Sequence, residues 1–228
     1  MLFRYYQEFS DNPSALVAYL AAVIVAFVTG IAFHEFSHAW AANQLGDSTA
    51  ARQGRLTLNP LAHLDPMGTV LLLLVGFGWG KPTPVNPYNL RNGPKRGNAL
   101  VAAAGPASNF FFAAVAAIPL RLGYVDATGN LSGIGTASGA EVFGLFLMFI
   151  VIINVFLGVF NLIPIHPLDG FKVAVGLLPG ELSRQLNALA PWGPGIIMTM
   201  FVVGLVTPFN PIGFIIGGFG NQILRLIV

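Results

Sequence analysis

Long apolar runs alternate with short polar stretches along the chain. Three long runs cover residues 14–43, 97–122 and 141–162, and two shorter ones cover residues 192–206 and 209–227. A helix needs about 20 mostly apolar residues to cross the hydrocarbon core of a membrane, so the long runs predict transmembrane helices. The last two predict a helical hairpin interrupted at Pro208 and Pro211. The pattern therefore predicts an all-α integral membrane protein, a polytopic helical bundle.

One further apolar run, residues 67–77, is too short to cross the membrane comfortably and breaks into a stretch rich in glycine and proline. We interpret the surrounding region, about residues 66–90, as a re-entrant hairpin with a short β segment. Basic residues support this choice, because they occur in the loops on both sides of the run, at residues 43–65 and 81–96. A full crossing would place two basic loops on opposite faces of the membrane, whereas a re-entrant segment keeps both in the cytoplasm.

Composition agrees with a membrane protein and narrows the possible chemistry. The 228 residues are 55% hydrophobic and 9% charged, and the mean hydropathy is +0.72. We expect a single membrane-embedded domain over residues 1–228, with a core at 14–180 and the helical hairpin at 190–228. The chain has no cysteine, which excludes thiolate ligands and nucleophiles, and its net charge of +2 is too small to indicate binding of nucleic acid.

Two histidines and a glutamate interrupt the first apolar run, in the sequence His34-Glu35-Phe36-Ser37-His38. Residues four apart lie on the same face of a helix, so both imidazoles can bind one metal ion, while Glu35 lies about 100° to the side. This arrangement is typical of a zinc pair with an adjacent general base. A carboxylate at bilayer depth costs about 2.5 to 3.5 kcal/mol, which indicates that Glu35 has a function there.

Asp169 is the strongest candidate for a third ligand, because it follows an apolar run in a segment, 161–170, that Pro164 and Pro167 break. Such a break is tolerated at membrane depth only where the freed backbone is buried in protein or faces a polar cavity. Two histidines and one aspartate would leave a fourth position for water, as catalytic zinc requires. The predicted cofactor is one Zn²⁺ per chain. Glu35 would take the proton of that water and later deliver it to the leaving amine.

The chain carries four motifs in a fixed order: His34-Glu35-Phe-Ser-His38, then Asn59-Pro60-Leu-Ala-His63-Leu-Asp65-Pro66-Met-Gly68, then Gly105-Pro106-Ala-Ser-Asn109, and Asn161-Leu-Ile-Pro164 with Pro167-Leu-Asp169-Gly170. In this combination the chain resembles the site-2 proteases, the intramembrane zinc metalloprotease family, in a short prokaryotic form without a PDZ domain.

The resemblance implies that the two motif histidines and Asp169 bind zinc and that Glu35 is the catalytic base. It also implies that Asn161 lies in the active site, where its amide would steady the substrate carbonyl or the oxyanion. Residues 76–87 would form a membrane-embedded hairpin or extended edge beside the substrate. An extended, proline-rich segment can pair with a substrate that has unwound from its helix.

Other interpretations stay open for several of these residues. Asp169 could cap a helix after Pro167. Asn161 could join helices by hydrogen bonds, as could Asn154 seven residues earlier. Residues 105–109 could equally be a place of close helix packing or a contact to the metal site.

The remaining histidines are also ambiguous. His63 and Asp65 lie among turn residues, which favours a structural turn or a gate over metal binding. His166 lies three residues before Asp169 and could be a partner of the site, an alternative ligand or a surface residue.

The predicted function is hydrolysis of a peptide bond within or near a transmembrane segment of a substrate protein. We expect a multi-pass protein of the cell membrane, in contact with lipid, with its active site toward the cytoplasmic side. The alternative is a metal-ion transporter or carrier that uses the His/His/Asp site for transit. A transporter has no use for a base beside the ligands, and the sequence shows no internal inverted repeat. A catalytically inactive scaffold is a third possibility and predicts no stoichiometric zinc.

Overall fold

A computed structural model describes residues 13–75, 78–125 and 138–228, and the regular structure in these ranges is helical apart from one isolated β-bridge. The helices are α1 (Pro13–Gln44), α2 (Thr49–Arg52), α3 (Pro66–Val75), α4 (Gly93–Arg121), α5 (Gly139–Asn161), α6 (Asp169–Leu177), α7 (Gly180–Ala188), α8 (Gly193–Val206) and α9 (Pro211–Ile227). Within the described ranges, four segments are long and apolar enough to span a membrane: Leu16–Gln44, Gly93–Arg121, Gly139–Asn161 and Gly180–Val206. The predicted all-α, multi-pass architecture is confirmed.

Local signals explain where the long helices begin. Helix α4 starts at Gly93, earlier than its apolar run, and has a proline in its first turn, where the missing N–H costs nothing. Helix α5 starts with a capping box. The Ser138 hydroxyl accepts from the Glu141 N–H, and the Glu141 carboxylate accepts from the Ser138 N–H. Most of the loop before it, residues 126–137, lies outside the described residues.

The core forms where α1, α4 and α5 pack against one another, with α6 against α4. Small residues dominate the contacts of α1 and α4, and Ala26, Ala39 and Ala113 are completely buried. Small side chains let membrane helices approach closely, so that even polar groups can be enclosed between them. Val151 and Val155 of α5 fill the centre of the same core.

The region near residues 66–90 folds back on itself, as the sequence predicts. After α3 the chain returns past the start of that helix, and Leu64 and Gly80 form an antiparallel bridge. A Cβ on Gly68 would stand 2.1 Å from the carbonyl oxygen of Trp79, so only glycine permits this close return. The two ends of the segment are therefore adjacent, which is the geometry expected of a re-entrant hairpin. Residues 76 and 77, within the predicted hairpin, lie outside the described part of the chain.

The C-terminal part contains two helices that the sequence did not predict, α6 and α7, followed by the expected pair, α8 and α9. Helices α8 and α9 contact each other, and α9 also packs against α5. The division into a core at 14–180 and a hairpin at 190–228 stays a prediction.

Candidate active site

Helix α1 supplies two imidazoles from adjacent turns of its last third. His34 and His38 are each 7% exposed, and their ring centroids lie 4.6 Å apart. Because the residues are one turn apart, their side chains leave the helix on the same face. The helix therefore brings both rings into the bundle interior.

Helix α6 brings the third group, and a tight turn before it sets its position. A Cβ on Gly170 would stand 2.1 Å from the carbonyl oxygen of Leu162, so the turn between α5 and α6 closes only over a glycine. Asp169 is the first residue of α6 and its carboxylate points at both histidines. The interpretation of Asp169 as a helix cap is wrong, because the N-cap is Leu168 and the carboxylate is used elsewhere.

The three candidate donors meet at one point. The Oδ2 of Asp169 lies 2.9 Å from Nε2 of His34 and 3.0 Å from Nε2 of His38, and the two Nε2 atoms are 3.0 Å apart. Tetrahedral zinc ligands at about 2.1 Å from the metal stand about 3.4 Å from one another. The sides of the observed donor triangle are shorter than that value by about half an ångström, and all three residues are buried. Among the described residues they form a group suited to hold a metal ion.

The surroundings of the two rings also fit a metal. The Nδ1 atoms have partners of their own, since Nδ1 of His34 lies 2.6 Å from Oδ1 of Asn109 and Nδ1 of His38 lies 2.7 Å from the carbonyl oxygen of Val101. This leaves both Nε2 atoms for the metal. Gly105 of α4 forms the wall behind the rings, where a Cβ would stand 2.5 Å from Nε2 of His38. Residues 105–109 therefore both pack closely and contact the site.

Both carboxylate oxygens of Asp169 have close neighbours. Its Oδ2 faces Nε2 of His34 and of His38. Lys172 approaches the other carboxylate oxygen at 3.3 Å. The group is therefore an anionic oxygen donor, as metal binding requires.

Glu35 is held by the extended segment that follows α3, rather than by the metal donors. Its Oε2 accepts from the backbone N–H of Thr83 at 2.8 Å, and the Thr83 hydroxyl donates to the backbone oxygen of Glu35 at 3.0 Å. Glu35 follows His34 directly on α1, about 100° further round the helix. No sequence pattern indicates this partner, because Thr83 lies 48 positions away from Glu35, in irregular structure.

The segment that carries Thr83 is itself tied to the preceding loop. Arg55, only 6% exposed, donates to the carbonyl oxygens of Lys81 and Pro82, and the Lys81 N–H donates to the carbonyl oxygen of His63 at 2.7 Å. His63 is completely buried and its Nε2 lies 2.7 Å from the carbonyl oxygen of Thr57. The favoured interpretation of His63 as a structural residue agrees with these contacts.

The other predicted residues lie as follows. Asn161, at the end of α5, donates from its amide to the carbonyl oxygen of Leu157 in its own helix. The carboxylate of Asp65 accepts from the Gly68 N–H at 2.9 Å, so it stabilises the start of α3. His166 packs edge-on against Phe171 and is not part of the metal group.

Comparison with known proteins identifies the family. A model described as peptidase family M50 matches residues 124–201. A Bacillus subtilis protein named "putative zinc metalloprotease YwhC" is 34% identical over 198 residues, which cover 87% of this chain and 86% of that protein. The Mycolicibacterium smegmatis protein named "putative zinc metalloprotease Rip2" is 31% identical over 200 residues, covering 86% of this chain and 71% of that protein. No solved structure matches the chain.

These relatives extend along most of the chain and therefore include both halves of the donor triangle, α1 and α6. The geometry of the site fits a metal ion, the names of the relatives support zinc as that metal, and the protease family implies a protein substrate. The chain belongs to peptidase family M50, the site-2 protease family, and is a multi-pass membrane zinc metalloprotease.

Proposed function

We propose that this metalloprotease hydrolyses a peptide bond within or near a transmembrane segment of another protein, from a site toward the cytoplasmic side of the cell membrane. The observation that carries the proposal is the position of the donor triangle, which lies inside a bundle of helices long enough to span a membrane. A peptide bond that reaches this site has to enter the bundle from the membrane or from its near surface. A transmembrane protein is therefore the substrate class that fits best, with lipid surrounding both partners.

The depth and sidedness of the site rest on helix geometry and charge. His38 lies six residues before Gln44, the end of α1, or about 9 Å along the helix axis. Water therefore has a short path to the site from that end. The loops beyond it carry Arg52, Arg55 and Lys81, and an excess of basic residues favours the cytoplasmic face.

In the proposed reaction, His34, His38 and Asp169 hold the metal. Bound zinc would polarise the scissile carbonyl and lower the pKa of water. Glu35 accepts the proton of the attacking water and later delivers it to the leaving amine. The Thr83 N–H holds Oε2 of Glu35, so that Oε1 stays available for the proton.

Asn161 is proposed to steady the substrate carbonyl. Its amide donates one N–H to the carbonyl oxygen of Leu157, and the same nitrogen carries a second N–H. That second donor is the group that could reach a substrate oxygen, provided that the substrate lies along the end of α5.

The variant Glu35→Gln tests the chemistry. Purified wild-type protein and variant are each reconstituted with a panel of single-span membrane proteins, and mass spectrometry locates any cut. We expect one zinc per chain in both proteins, with cleavage lowered by about 100-fold or more in the variant, because the general base is lost.

Two results would contradict the proposal. One is undiminished cleavage by Glu35→Gln. The other is a wild-type enzyme that cuts soluble, unstructured proteins but none of the panel within or next to a span. Zinc that passes into sealed liposomes at the same rate with wild type and variant would support the transporter instead. Membership of the family disfavours a transporter.

Sidedness can be tested in the native cysteine-free background. Single cysteines replace Gln53, which is exposed in the basic loop after α1, and Tyr124, which is 77% exposed just beyond the C-terminal end of α4. The proposed topology places these two residues on opposite faces of the membrane. In intact cells, an impermeant maleimide is expected to label only Tyr124→Cys, and in inverted vesicles only Gln53→Cys. The reverse pattern would place the site at the outer face.

A further inference from the structure

Two completely buried asparagines stand behind one of the metal-binding histidines. Asn109 of α4 and Asn154 of α5 are both 0% exposed. The Oδ1 of Asn109 lies 2.6 Å from Nδ1 of His34, and its Nδ2 lies 3.1 Å from the carbonyl oxygen of Gly30 and 2.9 Å from Oδ1 of Asn154. The Nδ2 of Asn154 in turn lies 2.9 Å from the carbonyl oxygen of Ile150. The contacts form one continuous chain from α5 through α4 to α1.

The backbone carbonyl of Ile150, at the far end of this series of hydrogen bonds, fixes the direction of the bonds that lead to His34. A backbone carbonyl only accepts, so Asn154 must present its NH₂ group to Ile150 and its oxygen to Asn109. Asn109 then has to turn its NH₂ group toward two acceptors, the oxygen of Asn154 and the carbonyl oxygen of Gly30. Its own oxygen is left to face His34, and an oxygen in that place requires the proton of His34 on Nδ1.

The consequence for the metal is specific. Only the tautomer with the proton on Nδ1 leaves a lone pair on Nε2, the atom that faces His38 and Asp169. His38 reaches the same tautomer by a simpler route, since its Nδ1 lies 2.7 Å from the carbonyl oxygen of Val101. If the Asn109 amide were turned round, it would place an N–H against Nδ1 and an oxygen against two other oxygens. Such an arrangement is strongly disfavoured in a buried site.

We propose that Asn109 is a positioning residue that fixes the metal-binding tautomer and the ring orientation of His34, and that Gly30 and Asn154 together set the direction of the Asn109 amide. The inference rests on the proposed role of His34 as a zinc ligand. Asn109 contacts Nδ1 of His34 and not its donor atom Nε2, so it acts through the imidazole, and Asn154 acts through Asn109.

Matched substitutions separate this role from simple packing. Asn109→Leu and Asn154→Leu make the same change at two equally buried positions, of which only the first contacts His34. Zinc affinity is measured by competition with a chelator on folded, monodisperse protein. We expect a loss of about 10- to 100-fold for Asn109→Leu, as for other partners of metal-binding histidines, and a much smaller loss for Asn154→Leu, because Gly30 still orients Asn109.

A second readout observes the ring directly. The chain has four histidines, so the ring nitrogens of zinc-loaded, ¹⁵N-histidine-labelled protein in micelles can be assigned by single substitutions. We expect slowly exchanging Nδ1–H signals from His34 and His38, of which Asn109→Leu shifts only that of His34. Rings protonated on Nε2, or equal zinc loss in both leucine variants, would overturn the inference. Absence of zinc from the wild-type protein would instead refute the proposed metal site itself.

Discussion

The two histidines proposed to bind the metal and the proposed general base sit on one helix, α1, but are held by two different kinds of structure. The donors are fixed by packed helices, with small residues at the contacts and each imidazole Nδ1 engaged by a buried oxygen. Glu35 is fixed by an irregular segment, through the N–H of Thr83. That segment is held in its turn by a buried guanidinium and a few backbone contacts.

The difference indicates which side can respond to a substrate. Along residues 81–84, the N–H groups of Lys81 and Thr83 are already used, and Pro82 and Pro84 have none. A substrate strand therefore finds no free N–H donor at these four positions while Thr83 holds Glu35. Pairing of substrate with this segment, as the family resemblance implies, would have to use carbonyl oxygens or a rearranged segment. The histidines have no comparable freedom to rearrange, because packed helices enclose them.

The largest expected effect comes from a substitution that disturbs the packed helices around the two histidines. Gly105→Ala places a methyl group 2.5 Å from Nε2 of His38 and 2.7 Å from Cε1 of His34, which must displace the rings. We expect zinc affinity, measured by chelator competition, to fall by at least about 100-fold, with activity falling in parallel. Gly218→Ala is the control, since nothing lies within 4 Å of the added Cβ. Normal zinc binding by Gly105→Ala would show that the wall behind the rings is not rigid.

The second prediction concerns the irregular segment that holds Glu35, with the metal donors left unchanged. Thr83→Pro removes the N–H that holds Glu35, whereas Thr83→Val keeps it and loses only the hydroxyl contact. We expect kcat to fall by about 10- to 100-fold in the proline variant and by only a few-fold in the valine variant, because the base is misplaced only in the first. Zinc content should stay at one per chain in both. Equal kcat values for the two variants would contradict a role for this N–H.

The third prediction weakens the support of the same segment. Arg55→Met removes the donors to the carbonyl oxygens of Lys81 and Pro82. We expect kcat to fall by about 10-fold through loss of positioning, with zinc affinity unchanged. Arg52→Met is the matched control, because Arg52 is exposed and contacts only Ser48. Loss of zinc in Arg55→Met would mean that the two sides are not independent.

The smallest effect concerns the anchor at the far end of the segment. Burial alone would raise the pKa of Asp47, but hydrogen bonds from Thr49, Asn89 and Asn86 outweigh it and lower the pKa from 3.8. A folded-state pKa below the unfolded one gives stability that is complete above about pH 4 and is lost as the pH falls through the folded value.

Replacing Asp47 with asparagine is therefore expected to cost about 1 kcal/mol at neutral pH and to leave kcat nearly unchanged. The thermal midpoints of wild type and variant should converge as the pH falls below about 4, where the Asp47 carboxyl is protonated first in the unfolded chain and then, at lower pH, in the folded protein. A constant difference between pH 7 and pH 3 would show that the charge of Asp47 is not what stabilises the loop.

Much of the site could be predicted because the relevant signals are local. The spacing of His34 and His38 follows from helix geometry, and Asp169 stood out as a carboxylate after an apolar run broken by prolines. Helices α6 and α7 were missed, because helices of nine residues give little periodic signal, and the prolines before them obscured their start. The two interpretations of residues 105–109 could not be separated by sequence, and the structure supports both.

By itself the sequence determined the membrane bundle, the pair of imidazoles and the presence of a base beside them, because span length and the 3.6-residue period are properties of contiguous chain. Only the tertiary structure decided what holds each group. Asn109 meets His34 across 75 positions and Thr83 meets Glu35 across 48, and no periodicity encodes such contacts. The first contact follows from helix faces that approach closely at alanine and glycine and enclose polar groups away from water, and the second from the irregular segment that returns to α1 after α3.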